Sequence, residues 1–81
     1  MRLDKYLKVS RLIKRRTIAN EACDKGAVLV NGKVQRASYA VKLGDIVELS
    51  LGQKTLKLEV LSLAEHAPKG EAALMYREVG E

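Results

Sequence analysis

The chain has 81 residues, which is enough for one domain with one modest hydrophobic core. It is 47% hydrophobic and 31% charged, a composition that excludes an intrinsically disordered chain, and it lacks the roughly 20 consecutive apolar residues of a membrane span. The net charge is +5, and residues 1–16 hold seven Lys or Arg and one Asp, so the entire positive excess lies at one end. This distribution indicates an anionic partner, either nucleic acid or an acidic membrane surface.

The first helix is predicted over residues 3–9, because Leu3, Tyr6 and Leu7 recur at helical spacing. The same stretch has no apolar region of the kind that a secretory signal contains, and we therefore expect a cytoplasmic protein. Residues 10–16 form a basic connection in which Leu12 and Ile13 are expected to turn inward.

A second helix is predicted from the N-cap residue Thr17 to Lys25. Gly26 follows directly, where a left-handed residue commonly ends a helix. The apolar positions of this helix predict a buried stripe of Ile18, Ala19, Ala22 and Cys23.

Short strands are predicted after the second helix. The pair Asn31-Gly32 is a strong hairpin signal and joins two strands over residues 28–30 and 33–34. A turn at Leu43-Gly44-Asp45 precedes two further strands, over residues 46–49 and 56–60. The later apolar residues show too little pattern to choose between a short helix and an irregular strap; they are Ala72, Leu74, Met75 and Tyr76.

These elements predict an α+β fold, in which two short N-terminal helices pack on a small antiparallel sheet. We expect residues 1–65 to form the domain. Residues 66–81 would form a tail, a strap or short helix, that packs on the domain or extends it.

The sequence contains no recognisable catalytic set. The single histidine, His66, precedes a predicted loop and is interpreted as a solvated residue, and Cys23 is interpreted as a small buried hydrophobic residue. The glycines lie singly at turns and match no nucleotide-binding fingerprint. We therefore predict a binding protein rather than an enzyme, with no metal and no cofactor.

The basic residues of the N-terminal part form the candidate binding surface. Some of them lie on the polar side of the first helix, and others lie in the connection and at the start of the second helix, where backbone N–H groups favour anions. Asp4, the one acid among them, is interpreted either as a carboxylate favoured at a helix start or as a group that orients a basic side chain. The candidate RNA-binding residues are Arg2, Asp4, Lys5, Lys8, Arg11, Lys14, Arg15 and Arg16.

The aromatic content of the chain restricts the classes of partner that it is expected to bind. The chain has no Trp or Phe, and its three tyrosines lie far apart in sequence, so a platform for stacking unpaired bases is not indicated. For Tyr6 and Tyr39 we expect core packing, with base stacking at the surface as the alternative. Structured RNA is favoured over a membrane surface, because the apolar stripe of the first helix is short. Charge alone does not separate RNA from DNA.

The segments RLDKYL, SRLIKRRTIANEACDKGAVLVNGKV and LGDIVEL, in this order, resemble the alpha-L RNA-binding domain. This domain occurs in a small-subunit ribosomal protein, in many pseudouridine synthases and in bacterial tyrosyl-tRNA synthetases. The resemblance covers about residues 1–50. The later segment EAALMYRE is similar to a stretch that follows the domain in its ribosome-associated heat-shock members.

The resemblance to the stand-alone members implies a factor that binds a stalled large ribosomal subunit. Its partners would be large-subunit ribosomal RNA, peptidyl-tRNA and a quality-control factor of the NEMF type, which supports an alanine tail on the stalled chain. By matched position, Arg2 and Arg16 would be the main RNA contacts, with Asp4 placing an arginine or contacting RNA itself. Two alternatives stay open, a heat-shock-type factor that recycles free large subunits and an adaptor that recruits another protein through its C-terminal tail. A monomer is expected.

Overall fold

The computed structural model describes residues 1–65 and 67–79, without the side chain of Lys69. The interpretation of His66 as a solvated residue lies outside the described residues. The described part contains the helices α1 (Leu3–Val9), α2 (Arg16–Asp24) and α3 (Lys69–Ala72), a 3₁₀ turn (Ala73–Met75) and the strands β1 (Val28–Val30), β2 (Lys33–Val34), β3 (Ile46–Leu51), β4 (Lys54–Val60) and β5 (Tyr76–Glu78).

The two N-terminal helices have the predicted positions, but α2 begins earlier than expected. Thr17 is not its N-cap, because Arg15 already has the extended backbone of an N-cap residue, at φ −122° and ψ 134°, and makes no side-chain capping bond. The end of α2 is as predicted. Gly26 has a φ of +80°, and its N–H donates to the Cys23 carbonyl at 3.0 Å while Ala27 donates to Ala22 at 2.9 Å, which is a Schellman ending.

The strands form one antiparallel sheet in the order β2-β1-β3-β4-β5. The hairpin between β1 and β2 is confirmed, and positive φ angles at Asn31 (53°) and Gly32 (84°) are those of a type I′ turn. The α+β class is confirmed as well. The tail contains the short helix that was one of the two predicted alternatives, as a helical turn over 69–75, and it continues into the unpredicted β5, whose Tyr76 pairs with Val60 of β4.

The core lies between the helices and one face of the sheet. Tyr6 is fully buried, as expected, and its hydroxyl donates to the Met75 carbonyl at 2.8 Å. Cys23 is buried as well, and burial raises the pKa of its thiol to about 11, which fits an inert structural role. The prediction for Ile18 was wrong, since this residue is 49% exposed. The buried line of α2 runs through Ala19 and Cys23, one turn apart, and Ile18 falls beside it.

A buried carboxylate, Asp45, fastens the turns at one end of the sheet. It is 7% exposed and accepts hydrogen bonds from Asn31 Nδ2, Tyr39 Oη and the Lys42 N–H, all at 3.0 Å. Asn31 Oδ1 in turn accepts the Ile46 N–H at 3.0 Å. We call this group the Asp45 junction. Its donors are uncharged, and it joins the β1–β2 turn to the loop before β3.

No helix in the described ranges is long and apolar enough to cross a membrane.

Candidate nucleic-acid interface

Asp4 lies at the centre of the candidate interface, in the first turn of α1. It is 2% exposed, and its Oδ1 accepts the N–H of Lys5 at 2.8 Å. Arg2 reaches over the helix start to the same carboxylate, with Nε at 3.1 Å from Oδ1 and a terminal guanidinium nitrogen at 3.3 Å from Oδ2. The pairing is therefore bidentate, a geometry that fixes the plane of the guanidinium.

The start of α2 supplies the other contacts of this carboxylate. Arg16 places a terminal nitrogen at 3.4 Å from Asp4 Oδ1 and its Nε at 3.4 Å from Oδ2. Asn20, one helical turn later, donates its Nδ2 to Asp4 Oδ2 at 3.3 Å. Because residues i and i+4 share a face of a helix, α2 brings both donors to the same acid. We call Arg2, Asp4, Arg16 and Asn20 the Asp4 cluster.

The Asp4 cluster holds its acid inside and its cations outside. The Asp4 side chain is 3% exposed, whereas those of Arg2 and Arg16 are 50% and 47% exposed. Each guanidinium group thus donates hydrogen bonds to the buried carboxylate from some of its N–H groups, and the rest of the group faces solvent. Two positive charges surround one negative charge, and the surface above the cluster remains positive.

The charge state of Asp4 follows from two opposed effects. Burial acts to raise the pKa of its carboxyl group, but the hydrogen bonds from Arg2, Asn20 and Arg16 together outweigh burial and hold the pKa below its ordinary value. Asp4 is therefore ionised at neutral pH. An ionised acid keeps both arginines in place, as the orienting interpretation of this residue expects.

A shallow depression opens beside the two arginines. It is also lined by side chains of α2, namely Thr17, Asn20 and Glu21. Glu21 is exposed, and it places a carboxylate at the rim of an otherwise basic surface.

The remaining predicted residues lie around the Asp4 cluster rather than in it. Lys5 pairs with Glu65, an exposed residue of the loop before α3, and the Lys5 ammonium holds the pKa of Glu65 below its ordinary value. Arg11 follows the end of α1 with a φ of 64°, in the left-handed region that few residues other than glycine adopt. Four of the predicted cations are exposed and have no carboxylate partner within the described residues; they are Lys8, Arg11, Lys14 and Arg15.

One member of the cluster was missed by the sequence analysis. Asn20 is uncharged and therefore does not contribute to a charge count. Its spacing of four residues from Arg16 was the available signal, since it places the two side chains on one face of α2. In the described part of the chain, no group of three or more His, Cys, Asp or Glu residues could hold a metal ion.

The family model described as "S4 domain" matches residues 1–47. The chain belongs to the S4 domain family. The matched S4 domain spans α1, α2, the β1–β2 hairpin and the beginning of β3, and it includes every residue of the Asp4 cluster.

Similar proteins extend the match beyond the S4 domain. The RQC P-site tRNA stabilizing factor of Streptococcus pneumoniae is 49% identical over 81 residues, which cover all of this chain and 92% of that protein. Heat shock protein 15 of Escherichia coli is 35% identical over 82 residues, covering all of this chain and 62% of that protein. A trimeric structure of heat shock protein 15 from Vibrio cholerae superimposes with a TM-score of 0.92 at 29% identity, covering 98% of this chain and 81% of that chain.

Proposed function

We propose that this chain is a non-enzymatic RNA-binding factor of ribosome-associated quality control. It binds a large ribosomal subunit that still carries peptidyl-tRNA after a stall, and it stabilises that tRNA in the P site. Similarity to a protein named RQC P-site tRNA stabilizing factor supports the proposal over the whole length of the chain. The observation that carries it is the Asp4 cluster, because two half-exposed arginines are held by one buried acid.

The geometry of the cluster suits a phosphate ligand. A guanidinium group is planar and matches two phosphate oxygens at once, which an ammonium group does not. Because Arg2 and Arg16 are already oriented by Asp4, they lose less conformational freedom when a phosphate binds. We assign the main RNA contacts to these two residues. The exposed cations around them, Lys8, Arg11, Lys14 and Arg15 together with Lys5, extend the electrostatic footprint.

The proposed function also implies particular RNA and protein partners. Its RNA ligands are large-subunit ribosomal RNA and peptidyl-tRNA, and the steadied tRNA would remain in place while a factor of the NEMF type supports the addition of an alanine tail. The protein would act as a monomer. Analytical ultracentrifugation tests this last point against a trimer, the assembly named for the heat shock protein 15 structure from Vibrio cholerae.

A second candidate is a heat-shock-type factor that recycles free large subunits with stalled peptidyl-tRNA. The fold similarity to heat shock protein 15 favours it. The adaptor alternative has less support, because Met75 lies in the core at 2% exposed and only Leu74, at 69%, offers a large apolar surface in that turn. Deleting residues 71–81 would remove Met75 from the core, so Leu74→Ala is the cleaner test of an adaptor.

Sucrose-gradient sedimentation of lysates from cells with induced stalling tests the proposed function. Tagged wild type should migrate with large subunits that carry peptidyl-tRNA, and an Arg2→Ala, Arg16→Ala double variant should stay at the top of the gradient. Alanine-tailed chains should disappear in cells that express only the double variant. Tails that persist, with subunit recycling impaired, would favour the heat-shock-type function. Wild type that stays at the top under low salt would exclude both.

A further inference from the structure

A tight turn after the edge strand β2 lies directly beside the Asp4 cluster. The Tyr39 N–H donates to the Arg36 carbonyl at 3.0 Å and closes a turn over residues 36–39. Ala37 anchors the turn, since it is 4% exposed and its carbonyl accepts the Asp4 N–H at 3.2 Å. The Leu3 N–H adds a second bond, to the Tyr39 carbonyl at 2.8 Å. The turn is thus fixed to the residues that begin α1.

The two residues on either side of the anchor face solvent. Arg36 and Ser38 are both exposed, and no carboxylate pairs with Arg36 in the part of the chain that the structure describes. Tyr39, in contrast, has its hydroxyl bound to Asp45. Arginine and serine side chains are among the groups that most often bind nucleic-acid phosphates. An exposed arginine next to a basic surface adds to its attraction for a polyanion.

We propose that Arg36, together with Ser38, is a second RNA-binding element of this protein, which contacts the phosphate backbone beside the stretch bound by Arg2 and Arg16. This inference rests on the proposed RNA-binding function and adds a contact outside residues 1–16. Because the turn is hydrogen-bonded to Leu3 and Asp4, it fixes the backbone that carries Arg36 relative to the Asp4 cluster. A ligand that spans both elements is bound in one orientation, which a single patch of cations does not enforce.

The test compares Arg36→Ala with Lys57→Ala, a control that removes one exposed positive charge from β4 on the sheet. Affinity for purified large ribosomal subunits with tRNA in the P site is measured over a series of salt concentrations. Arg36→Ala should weaken binding about tenfold, the effect of one lost charge-assisted contact. It should also reduce the magnitude of the salt slope by about 0.7 to 0.9. Lys57→Ala should change affinity by less than about twofold.

The outcomes separate the two proposals. If wild type does not bind these subunits, the proposed function and this inference both fail. If wild type binds and Arg16→Ala weakens binding, but Arg36→Ala behaves like Lys57→Ala, only this inference is overturned. Thermal unfolding of each variant checks folding, and the midpoint of Arg36→Ala should match wild type because the side chain is exposed and unpaired.

A directed-cleavage experiment gives an independent answer. A chelated iron tethered at Ser38→Cys should cut RNA next to the positions cut from Thr17→Cys, which lies in the depression beside the Asp4 cluster. Ser50→Cys, at an exposed site on β3, is the matched control and should give no cuts there. The native thiol of Cys23 does not compete for the label, because it is 2% exposed. Cuts from Ser38→Cys that are absent, or that equal those from the control, would overturn the inference.

Discussion

Two buried aspartates of this small domain, Asp4 and Asp45, differ in the kind of group that donates hydrogen bonds to them. Both are almost fully buried and both accept several hydrogen bonds. The donors of Asp4 include two half-exposed arginines, so its negative charge is paired with cations that face solvent. The donors of Asp45 are a phenol, an amide and a backbone N–H, all of them uncharged. The Asp4 cluster therefore presents positive charge to solvent, whereas the Asp45 junction is built from uncharged donors.

The largest effect is expected from removing the cations of the Asp4 cluster. The Arg2→Ala, Arg16→Ala double variant should lose at least ~100-fold in affinity for large ribosomal subunits, because each charge-assisted bond contributes about 1.5 to 3 kcal/mol. Filter binding at fixed salt measures the loss. A Lys54→Ala, Lys57→Ala double variant removes the same charge from β4 and should bind nearly as well as wild type. Equal losses of affinity in the two double variants would mean that the Asp4 cluster contributes only its net charge to binding.

Replacing the acid itself tests whether it positions the arginines. Asp4→Asn keeps the shape but removes the charge that orients Arg2 and Arg16, and we expect about tenfold weaker RNA binding with a free energy of unfolding lower by about 1 to 3 kcal/mol. The variant gains net positive charge, so a model in which charge alone matters predicts tighter binding instead. Titration with large ribosomal subunits, with urea unfolding in parallel, decides between the two signs.

Asp45→Asn should separate stability from binding. The amide leaves at least one of the donors at the Asp45 junction without an acceptor, which costs about 1 to 3 kcal/mol of the free energy of unfolding. RNA affinity of the folded protein should stay within about twofold of wild type, since no cation of the interface contacts Asp45. Urea unfolding and binding are measured on the same preparation. A large loss of affinity would show that the two aspartates do not act separately.

Acid should reduce the effect of replacing Asp4. The pKa of Asp4 is lower in the folded chain than its ordinary value of 3.8, so ionised Asp4 adds stability above that pH, and this stability is lost as pH falls through the folded pKa. The difference in unfolding free energy between wild type and Asp4→Asn should therefore shrink below about pH 4. Urea unfolding at pH 6 and pH 3 measures it. A difference that does not change with pH would contradict the assigned ionisation.

The smallest effect is expected at the rim of the interface. Glu65→Gln breaks the exposed pair with Lys5 and frees that ammonium for RNA, which should raise affinity by about twofold at low salt. Glu78→Gln removes the same charge from the edge strand β5, outside the candidate interface, and is the control. The gain should vanish at high salt, where exposed charges are screened. A gain of equal size in the control would mean that only net charge has changed.

Local chemistry was sufficient to predict α1, the end of α2 at Gly26 and the hairpin turn at Asn31-Gly32, because each depends on neighbouring residues. The strand β5 was not predicted, since its three residues are defined by pairing with β4 rather than by their own pattern. The basic residues of the candidate interface were predicted as a group. The pairing of these residues was not predicted, because it joins positions that are distant in sequence. Asp4, which orients Arg2 and Arg16, lies 12 residues from Arg16, and the partner of Lys5 lies 60 residues from Lys5.

The hydrogen bond from Tyr6 to the Met75 carbonyl has a consequence for synthesis of the protein. It joins the second turn of α1 to a residue 69 positions later, within the same core. Contacts so distant in sequence form only after most of the chain is available. The helix that carries Asp4 and follows Arg2 therefore completes its packing only when Met75 has left the exit tunnel. A half-made copy has its cations but lacks this contact between α1 and the end of the chain's core.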